Sequence, residues 1–321
     1  MQRGNTLPQL PVGDDSERGA LENARNALGE IILGKDAQIE LALACLLARG
    51  HLLIEDLPGL GKTTLAQSLA TVLGLGYRRI QFTSDLLPAD IVGVSVFRKE
   101  SGEFEFQPGP IFSELILADE VNRATPKAQS ALLEAMEEHQ VSVDGRTRPL
   151  PEPFFVVATQ NPADQIGTFP LPESQLDRFL MRLQLGYPNE VNERELIVGA
   201  DRREILVQTE PSASPEQLVS LQQKAKAMHM SDALVDYVQA LVRETRKSPD
   251  IDIGLSPRGA QALAAAARAM AFVRRHTGVF PDDVQAVFTA VAGHRLKAAG
   301  NTDHRTAAEL CQHVIDSVAI P

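Results

Sequence analysis

Residues 53–64 contain the residue types and the spacing that phosphate binding requires. Closely spaced glycines allow a tight loop whose backbone N–H groups face an anion. Lys62 would reach the terminal phosphates of a nucleotide, and the Thr63 hydroxyl would bind Mg²⁺. The residues expected to surround the phosphates are Pro58, Gly59, Leu60, Gly61, Lys62, Thr63 and Thr64.

One position in this loop departs from the Walker A pattern, because Asp56 stands where the pattern has its first glycine. A carboxylate beside a phosphate is unfavourable unless its side chain points away. The flanking segments nevertheless favour a phosphate loop over an ordinary glycine-rich turn. Residues 51–54 are predicted as a buried strand and residues 64–73 as an amphipathic helix, which is the order of elements that the pattern needs.

A second buried strand, residues 115–118, ends in two adjacent carboxylates, Asp119 and Glu120. Ligand sites of open parallel sheets form at the carboxyl ends of their strands. Asp119 would hold Mg²⁺, directly or through water, and Glu120 would orient and deprotonate an attacking water. The alternative is that this pair only opens the next loop. The distance of 57 residues between Lys62 and Asp119 and the helix that follows favour catalysis.

Asn161 follows a third buried strand, residues 154–158. If that strand lies between the other two, the Asn161 amide would approach a γ-phosphate and hold the attacking water. Asn161 followed by Pro162 is equally typical of a simple turn.

Two arginines could stabilise phosphoryl charge, because a guanidinium binds phosphate oxygens bidentately. Arg178 precedes the last predicted strand, and Arg182 is a nearby competitor for the same role. Arg258 lies in the first turn of a helix that Ser256 would cap. A cation at that end of a helix is unfavourable, which suggests an anionic partner. The alternative for each is a solvated or salt-bridged surface arginine.

Two β-hairpins are predicted to interrupt the alternation of strands and helices. In residues 94–106 apolar and polar side chains alternate around a turn at 99–102, and in residues 139–149 the turn is Asp144-Gly145. Their basic residues would either contact a substrate or lie in solvent as hairpin tips; they are Arg98, Lys99, Arg146 and Arg148.

Beyond residue 187 nearly every segment has helical periodicity, which predicts a second, helical domain. The predicted division is a flexible tail at 1–15, an α/β core at 16–187 and a helical lid at 188–321. Helices are expected at about 190–205, 215–228, 231–246, 257–275, 281–297 and 304–318.

Composition narrows the class of protein further. The 321 residues are 44% hydrophobic and 23% charged, which is typical of globular domains. A net charge of −11 argues against binding nucleic acid or an anionic membrane. We expect no membrane span, no signal peptide and a cytoplasmic location. Cys45 and Cys311 are expected to be buried packing residues.

Taken together, these motifs resemble the AAA+ ATPases, and specifically the MoxR family. The segments that carry the resemblance are 55–64, 81–90, 118–124, 158–162 and 176–179. The resemblance covers the chain from about residue 20 to its end. It implies a P-loop core, with a five-stranded parallel sheet, helices on both faces and the two hairpins as inserts, followed by an all-α lid.

The resemblance also implies roles for single residues. Asn161 would be the first sensor, Arg178 an arginine finger acting on a neighbouring subunit, and Arg258 the second sensor, on either subunit's phosphate. Gly34 would lie near the adenine. ATP and Mg²⁺ are the implied cofactors.

Members of the family are regarded as chaperone-like. The implied function is Mg²⁺-dependent ATP hydrolysis by a ring, often a hexamer, that remodels or matures protein clients, in some cases with metal or cofactor insertion. A protein with a von Willebrand factor A domain is the implied partner. The alternatives are a nucleic-acid-stimulated motor, a magnesium-chelatase-like subunit, a small-molecule kinase and an ATP-controlled binding module.

Overall fold

Buried apolar runs and amphipathic helices alternate along the first part of the chain and form a parallel sheet with helices on both faces. The computed structural model describes residues 15–161, 169–300 and 305–321. The predicted tail, apart from Asp15, and Pro162 lie outside these ranges. The elements of the first part are α1 (Asp15–Ile31), α2 (Asp36–Leu47), β1 (Leu52–Glu55), α3 (Lys62–Val72), β2 (Tyr77–Gln81), α4 (Pro88–Val92), β3 (Gly93–Arg98), β4 (Glu103–Pro108), β5 (Leu115–Asp119), α5 (Pro126–Glu138), β6 (Gln140–Val143), β7 (Arg146–Pro149), β8 (Phe155–Gln160), α6 (Glu173–Leu176) and β9 (Met181–Leu183).

The strand order of the parallel sheet is β2-β5-β8-β1-β9. The register pairs Leu117 with Val157 and Leu53 with Ala158, so β8 lies between β5 and β1. This meets the condition under which Asn161 was expected to approach a γ-phosphate. The carboxyl ends of three adjacent strands therefore meet at one edge of the sheet.

Side chains alternate between two apolar cores, as the period of a strand requires. Leu52 and Ile54 of β1 pack into a core with α1, α2, α3 and the C-terminal helices, whereas Leu53 between them packs on the opposite face with α4 and α5. Cys45 and Cys311 are both buried and free in the first of these cores, as expected.

Both predicted hairpins are present. Strands β3 and β4 pair Val96 with Glu105, and β6 and β7 are joined by Asp144 and Gly145. These two residues have φ of +53° and +71°, the left-handed values that a tight type I′ turn needs. The hairpins lie close to each other, with the guanidinium of Arg148 3.8 Å from the centre of the Phe106 ring.

The C-terminal part of the chain is helical, with one short antiparallel strand pair that the sequence did not predict. Its elements are α7 (Glu190–Val198), α8 (Arg202–Gln208), α9 (Pro215–Lys226), α10 (Asp232–Lys247), β10 (Ile251–Ile253), α11 (Pro257–Val273), α12 (Pro281–Ala292), β11 (Lys297–Ala298) and α13 (Ala307–Ser317). Among the helices of the described ranges, none is both long and apolar enough to cross a bilayer.

One predicted helix is divided in two, and another ends well before its predicted limit. The segment at 190–205 is two helices, because the chain leaves helical geometry at Gly199 and Asp201 caps the next helix by accepting a hydrogen bond from the Arg203 N–H. The segment at 281–297 ends at Ala292, after which Lys297 enters the β10–β11 pair. The proposed division at residue 187 remains a prediction, since α9 and α11 pack on α2 within one core.

Candidate active site

The loop between β1 and α3 has the backbone shape of a phosphate cradle. Gly59 and Gly61 have φ of +84° and +88°, values that side chains other than glycine rarely adopt. Gly61 directly precedes Lys62, the first residue of α3, so the loop opens onto the amino end of that helix. Backbone N–H groups at such an end are free to bind an anion. Thr63 and Thr64 lie in the first turn, and Pro58 lies in the loop itself.

Lys62 is held at the centre of the site by three acceptors. Its ammonium donates to the Asp56 carbonyl, to the Leu57 carbonyl at 3.0 Å and to Asn161 Oδ1 at 3.2 Å. Burial lowers the pKa of Lys62, and the nearby carboxylates of Asp56, Asp119 and Glu120 oppose that shift. The lysine therefore sits where it can exchange these acceptors for phosphate oxygens.

The carboxylate of Asp56 points away from the cradle. Its Oδ2 accepts hydrogen bonds of 2.7 Å from the N–H groups of Leu185 and Gly186, and its Oδ1 accepts one from the Leu57 N–H. The departure from the Walker A pattern thus directs the Asp56 carboxylate oxygens at backbone N–H groups and not into the phosphate cradle. It connects the loop to the segment that leads into α7.

Asp119 ends β5 and is 6% exposed. Its Oδ1 accepts a hydrogen bond of 2.6 Å from the Thr159 hydroxyl. Its Oδ2 accepts two from Arg79, from Nε at 3.0 Å and from Nη2 at 2.6 Å. Carboxylate and hydroxyl oxygens are ligands that Mg²⁺ prefers, so Asp119 and Thr63 are chemically suited to that ion.

Glu120 follows Asp119 in a left-handed conformation, with φ of +57°. Strain of this kind in a non-glycine residue concentrates at functional sites. The Glu120 N–H donates to Thr159 Oγ1 at 2.9 Å, and the carboxylate accepts from Asn161 Nδ2 at 3.1 Å and from Gln81 Nε2 at 3.0 Å. Arg123 forms an ion pair with it at 3.3 Å. The side chain is therefore oriented from several sides.

These contacts form one continuous set, which we call the site network. Each member is hydrogen-bonded to at least one other through a side-chain atom. The set runs from the phosphate loop to β2, the strand at one edge of the sheet. The site network consists of Lys62, Asn161, Glu120, Gln81, Arg79, Asp119 and Thr159. The structure thus brings together Lys62, Asp119, Glu120 and Asn161, which the sequence had offered as candidates for one site, and their roles remain predictions.

Arg79, Gln81 and Thr159 are site residues that the sequence analysis did not single out. Arg79 and Gln81 are two positions apart on a strand and so share one face. That spacing was visible, but their relation to Asp119 depends on β2 pairing with β5, with Gln81 opposite Asp119. A neighbouring strand cannot be identified from spacing alone.

Arg178 and Arg258 contact a separate group of residues. Arg178 donates to the Leu133 carbonyl at 2.6 Å and pairs with Glu137 at 2.9 Å. Arg258 pairs with the same Glu137 at 3.2 Å and with Asp177 at 3.8 Å. Both guanidinium groups therefore lie close to one carboxylate near the end of α5.

Two further arginines join this region to the C-terminal helices. Arg182 pairs with Glu55 at 3.0 Å and donates to the Gly293 carbonyl at 3.0 Å. The Arg295 side chain is 6% exposed, and it donates to Asp177 Oδ1 at 2.6 Å and to the Phe179 carbonyl at 2.7 Å. Arg182, the competitor considered above for the role of Arg178, thus bridges β1 and the end of α12.

A cavity of about 510 Å³ opens beside the phosphate loop, within the range of about 300–1,000 Å³ typical of ligand pockets. It combines loop residues with apolar side chains, as an adenosine group would require. Its lining includes Ile32, Gly59, Leu60, Gly61, Thr64, Tyr187 and Ile197. Gly34 lines a different cavity, and a Cβ atom there would lie 1.8 Å from Asn192 Nδ2. Close packing against α7 therefore explains this glycine.

Known proteins match this chain over most of its length. Residues 51–181 match the family described as ATPase family associated with various cellular activities (AAA), and residues 243–314 match the AAA lid domain. The uncharacterized protein YeaC of Bacillus subtilis is 44% identical over 276 residues, 86% of each chain. Chaperone MoxR1 of Mycobacterium tuberculosis is 40% identical over 95% of this chain and 84% of its own.

A solved structure supports the same relationship. The crystal structure of a candidate ATPase from Cytophaga hutchinsonii superposes with a TM-score of 0.85 at 34% identity. The match covers 95% of this chain and 96% of that one.

Proposed function

The chain belongs to the MoxR family of AAA+ ATPases, and we propose that it couples Mg²⁺-dependent ATP hydrolysis in an oligomeric ring to the remodelling or maturation of client proteins. One observation carries the catalytic part of this proposal. The Asn161 amide lies between Lys62 Nζ, at 3.2 Å, and Glu120 Oε1, at 3.1 Å. One side chain therefore contacts both the cation expected at the γ-phosphate and the carboxylate expected to activate water.

Each residue of the site would then have one task. The loop N–H groups and Lys62 bind the phosphates, and Asp119 with Thr63 holds the metal. Mg²⁺, when bound, neutralises charge on the phosphate oxygens. Glu120 orients the attacking water and accepts its proton, while the Asn161 amide fixes the position of that water.

The arrangement of Arg178 and Arg258 supports a site shared between subunits. Their ion pairs are with Glu137 and Asp177, and not with the phosphate loop of their own chain. The two guanidinium groups that share this carboxylate would instead contact the γ-phosphate of a neighbouring subunit. An arginine in that position stabilises the charge of the transition state. This favours a role on the neighbouring subunit for Arg258 as well as for Arg178, and therefore a ring. The hexamer is the size that the family resemblance implies.

The conformational change that follows hydrolysis would reach the C-terminal helices through the segment that joins the sheet to α7. Asp56 connects the phosphate loop to Leu185 and Gly186, and Tyr187 and Ile197 line the cavity beside the loop. A nucleotide that touches both sides would order the C-terminal helices against the sheet.

Two observations support a protein client. The relative MoxR1 is named a chaperone. The two hairpins flank a cavity of about 850 Å³ and expose apolar side chains, including Phe97 and Phe104. We further propose that a partner with a von Willebrand factor A domain presents the client, and that some client steps insert a metal or cofactor.

The ring is tested by measuring the mass of the Glu120→Gln variant in solution with saturating ATP and Mg²⁺. A multiple of the 34.8 kDa subunit that depends on ATP is expected. A monomer at every protein concentration, with ATP demonstrably bound, would contradict the ring. The Lys62→Ala variant is the matched control, because it should lose the nucleotide.

The client role is tested by affinity capture with the same Glu120→Gln variant. Proteins retained with ATP, and released with ADP or in the Lys62→Ala variant, would identify the client and partner. Equal capture with ATP, with ADP and in the Lys62→Ala variant would contradict the proposed coupling between hydrolysis and remodelling.

A further inference from the structure

Arg79 contacts two members of the site network at once. Its Nε and Nη2 both donate to Asp119 Oδ2, at 3.0 and 2.6 Å, and Nη2 also donates to Gln81 Oε1 at 2.7 Å. Arg79 and Gln81 lie on one face of β2, which pairs with β5 in the register that sets Gln81 opposite Asp119. The guanidinium therefore contacts both Asp119, the expected metal ligand, and Gln81, which lies on the same strand as Arg79.

The contact with Gln81 fixes the direction of an amide group. Because Gln81 Oε1 accepts from Arg79, its Nε2 must point the other way, and it donates to Glu120 Oε2 at 3.0 Å. An amide turned by 180° would direct an oxygen at the Glu120 carboxylate, which is repulsive. Arg79 thus determines, through Gln81, one of the hydrogen bonds that orient Glu120.

The contact with Asp119 occupies the oxygen atoms that a metal would use. Both acceptor positions of Oδ2 are taken by Arg79, and Oδ1 already accepts from the Thr159 hydroxyl. A carboxylate oxygen has two lone pairs, so one acceptor position remains on this buried side chain. A divalent cation that approaches Asp119 also meets the positive charge of the guanidinium.

We propose that Arg79 is a positioning residue shared between Asp119 and Gln81: it competes with the divalent cation for Asp119, and it keeps the Gln81 amide directed at Glu120. This inference rests on the proposed Mg²⁺–ATP site. Binding of the cation weakens the Arg79–Asp119 ion pair, while Nη2 stays on Gln81. Removal of the guanidinium therefore has two opposite effects, tighter metal binding and slower turnover.

The test measures Mn²⁺ affinity, by electron paramagnetic resonance of the protein saturated with ADP, separately from the turnover of Mg²⁺–ATP. In Arg79→Ala the Mn²⁺ affinity should rise by about threefold to tenfold, the range expected for losing one half-exposed ion pair. Turnover should fall about tenfold, as expected when a general base loses its orientation. General damage to the site would lower both quantities together.

The conservative variant Arg79→Lys separates the two contacts. A lysine ammonium is a compact charge without the fork of donors that spans two acceptors. Arg79→Lys should therefore return Mn²⁺ affinity to within about twofold of the wild type while turnover stays low. Arg78→Ala is the matched control, since Arg78 is an exposed arginine on the same strand, and it should change neither quantity.

A second variant keeps the inference testable if Arg79→Ala does not fold. Gln81→Met retains the Arg79–Asp119 pair and removes only the amide, so Mn²⁺ affinity should stay near the wild-type value and turnover should fall. Unchanged or weaker Mn²⁺ binding in a folded Arg79→Ala protein, or wild-type turnover in Gln81→Met, would overturn the inference. Failure of the wild type itself to bind Mn²⁺ and ADP would instead contradict the proposed function.

Discussion

The carboxylate of Asp56 accepts a hydrogen bond of 2.7 Å from the backbone N–H of Gly186, across 130 positions of sequence. Asp56 begins the phosphate loop, and Gly186 begins the segment that leads to α7 and has φ of +64°. The same oxygen accepts from the Leu185 N–H. The loop that would bind phosphate and the helices that would move are therefore joined by one side chain.

Asp56→Ala should loosen this connection. Hydrogen bonds to charged groups contribute about 1.5–3 kcal/mol each, and water can replace part of that here because the site is only half-buried. Hydrogen exchange of the Leu185 and Gly186 amides should accelerate in the variant. Asp56→Asn retains one oxygen for these amides and should give an intermediate result. Unchanged exchange at both amides in Asp56→Ala would show that the contact does not hold the segment.

Glu120→Gln should bind ATP like the wild type and hydrolyse it about 100-fold more slowly or worse, because an amide cannot accept the proton of the attacking water. Nucleotide affinity by calorimetry and turnover by phosphate release are the two measurements. Glu100→Gln, at an exposed hairpin tip, is the control and should leave both unchanged. Turnover at the wild-type rate would remove Glu120 from the mechanism.

Arg178→Ala should lower turnover by about 10³-fold or more, the effect expected of an arginine finger, and leave nucleotide binding intact. Mixing it with Lys62→Ala tests the action between subunits, since an intact phosphate loop can then face an intact Arg178. Partial recovery in a ring that is shown to contain both variants is expected. No recovery in such a ring would mean that Arg178 acts within its own subunit or only on structure.

Stability should fall as the pH falls from about 6.5 toward 4, because His51 is buried as a neutral ring. Its Nε2 lies 3.1 Å from the Met136 carbonyl, and its Nδ1 accepts from the Val156 N–H at 3.1 Å, so a second ring proton would break the latter bond. Burial lowers the pKa of His51 to about 4. The unfolded chain, with a pKa near 6.5, binds the proton first and is favoured by acid.

Each such histidine is expected to contribute a loss of about 1.4 kcal/mol per pH unit within its window, measured as the free energy of unfolding in urea. Burial also lowers the pKa of His139 and of His294, so three histidines contribute in the same direction. His51→Gln should reduce the slope by the share of one histidine. An identical slope in that variant would mean that His51 does not titrate between the two states.

The sequence was sufficient to propose those parts of the site that have a recognisable local pattern. The phosphate loop, the carboxylate pair after β5 and Asn161 after β8 each have a local pattern, and parallel strands bring their ends together. The hairpin with Asp144 and Gly145 was equally predictable, because its turn needs left-handed residues. Gly34 was assigned through family resemblance, and the packing of α7 gives it another explanation.

The rest of the site depends on strand order and on long-range contacts. Whether Arg79 faces Asp119 is decided by which strand lies beside β5, and hydrophobic periodicity is the same for either neighbour. The shared partner of Arg178 and Arg258, Glu137, lies on α5, remote from both in sequence. Such pairs follow from the packed fold and not from local propensity.

The continuity of the site network has a consequence for how mutational data should be interpreted. Residues joined in one hydrogen-bonded set do not contribute independently, so the losses from single substitutions overlap. Combining Asn161→Ala with Gln81→Met should cost less than the product of their separate effects on rate. A double-mutant cycle, and not an alanine scan, is therefore the measure of what each side chain contributes.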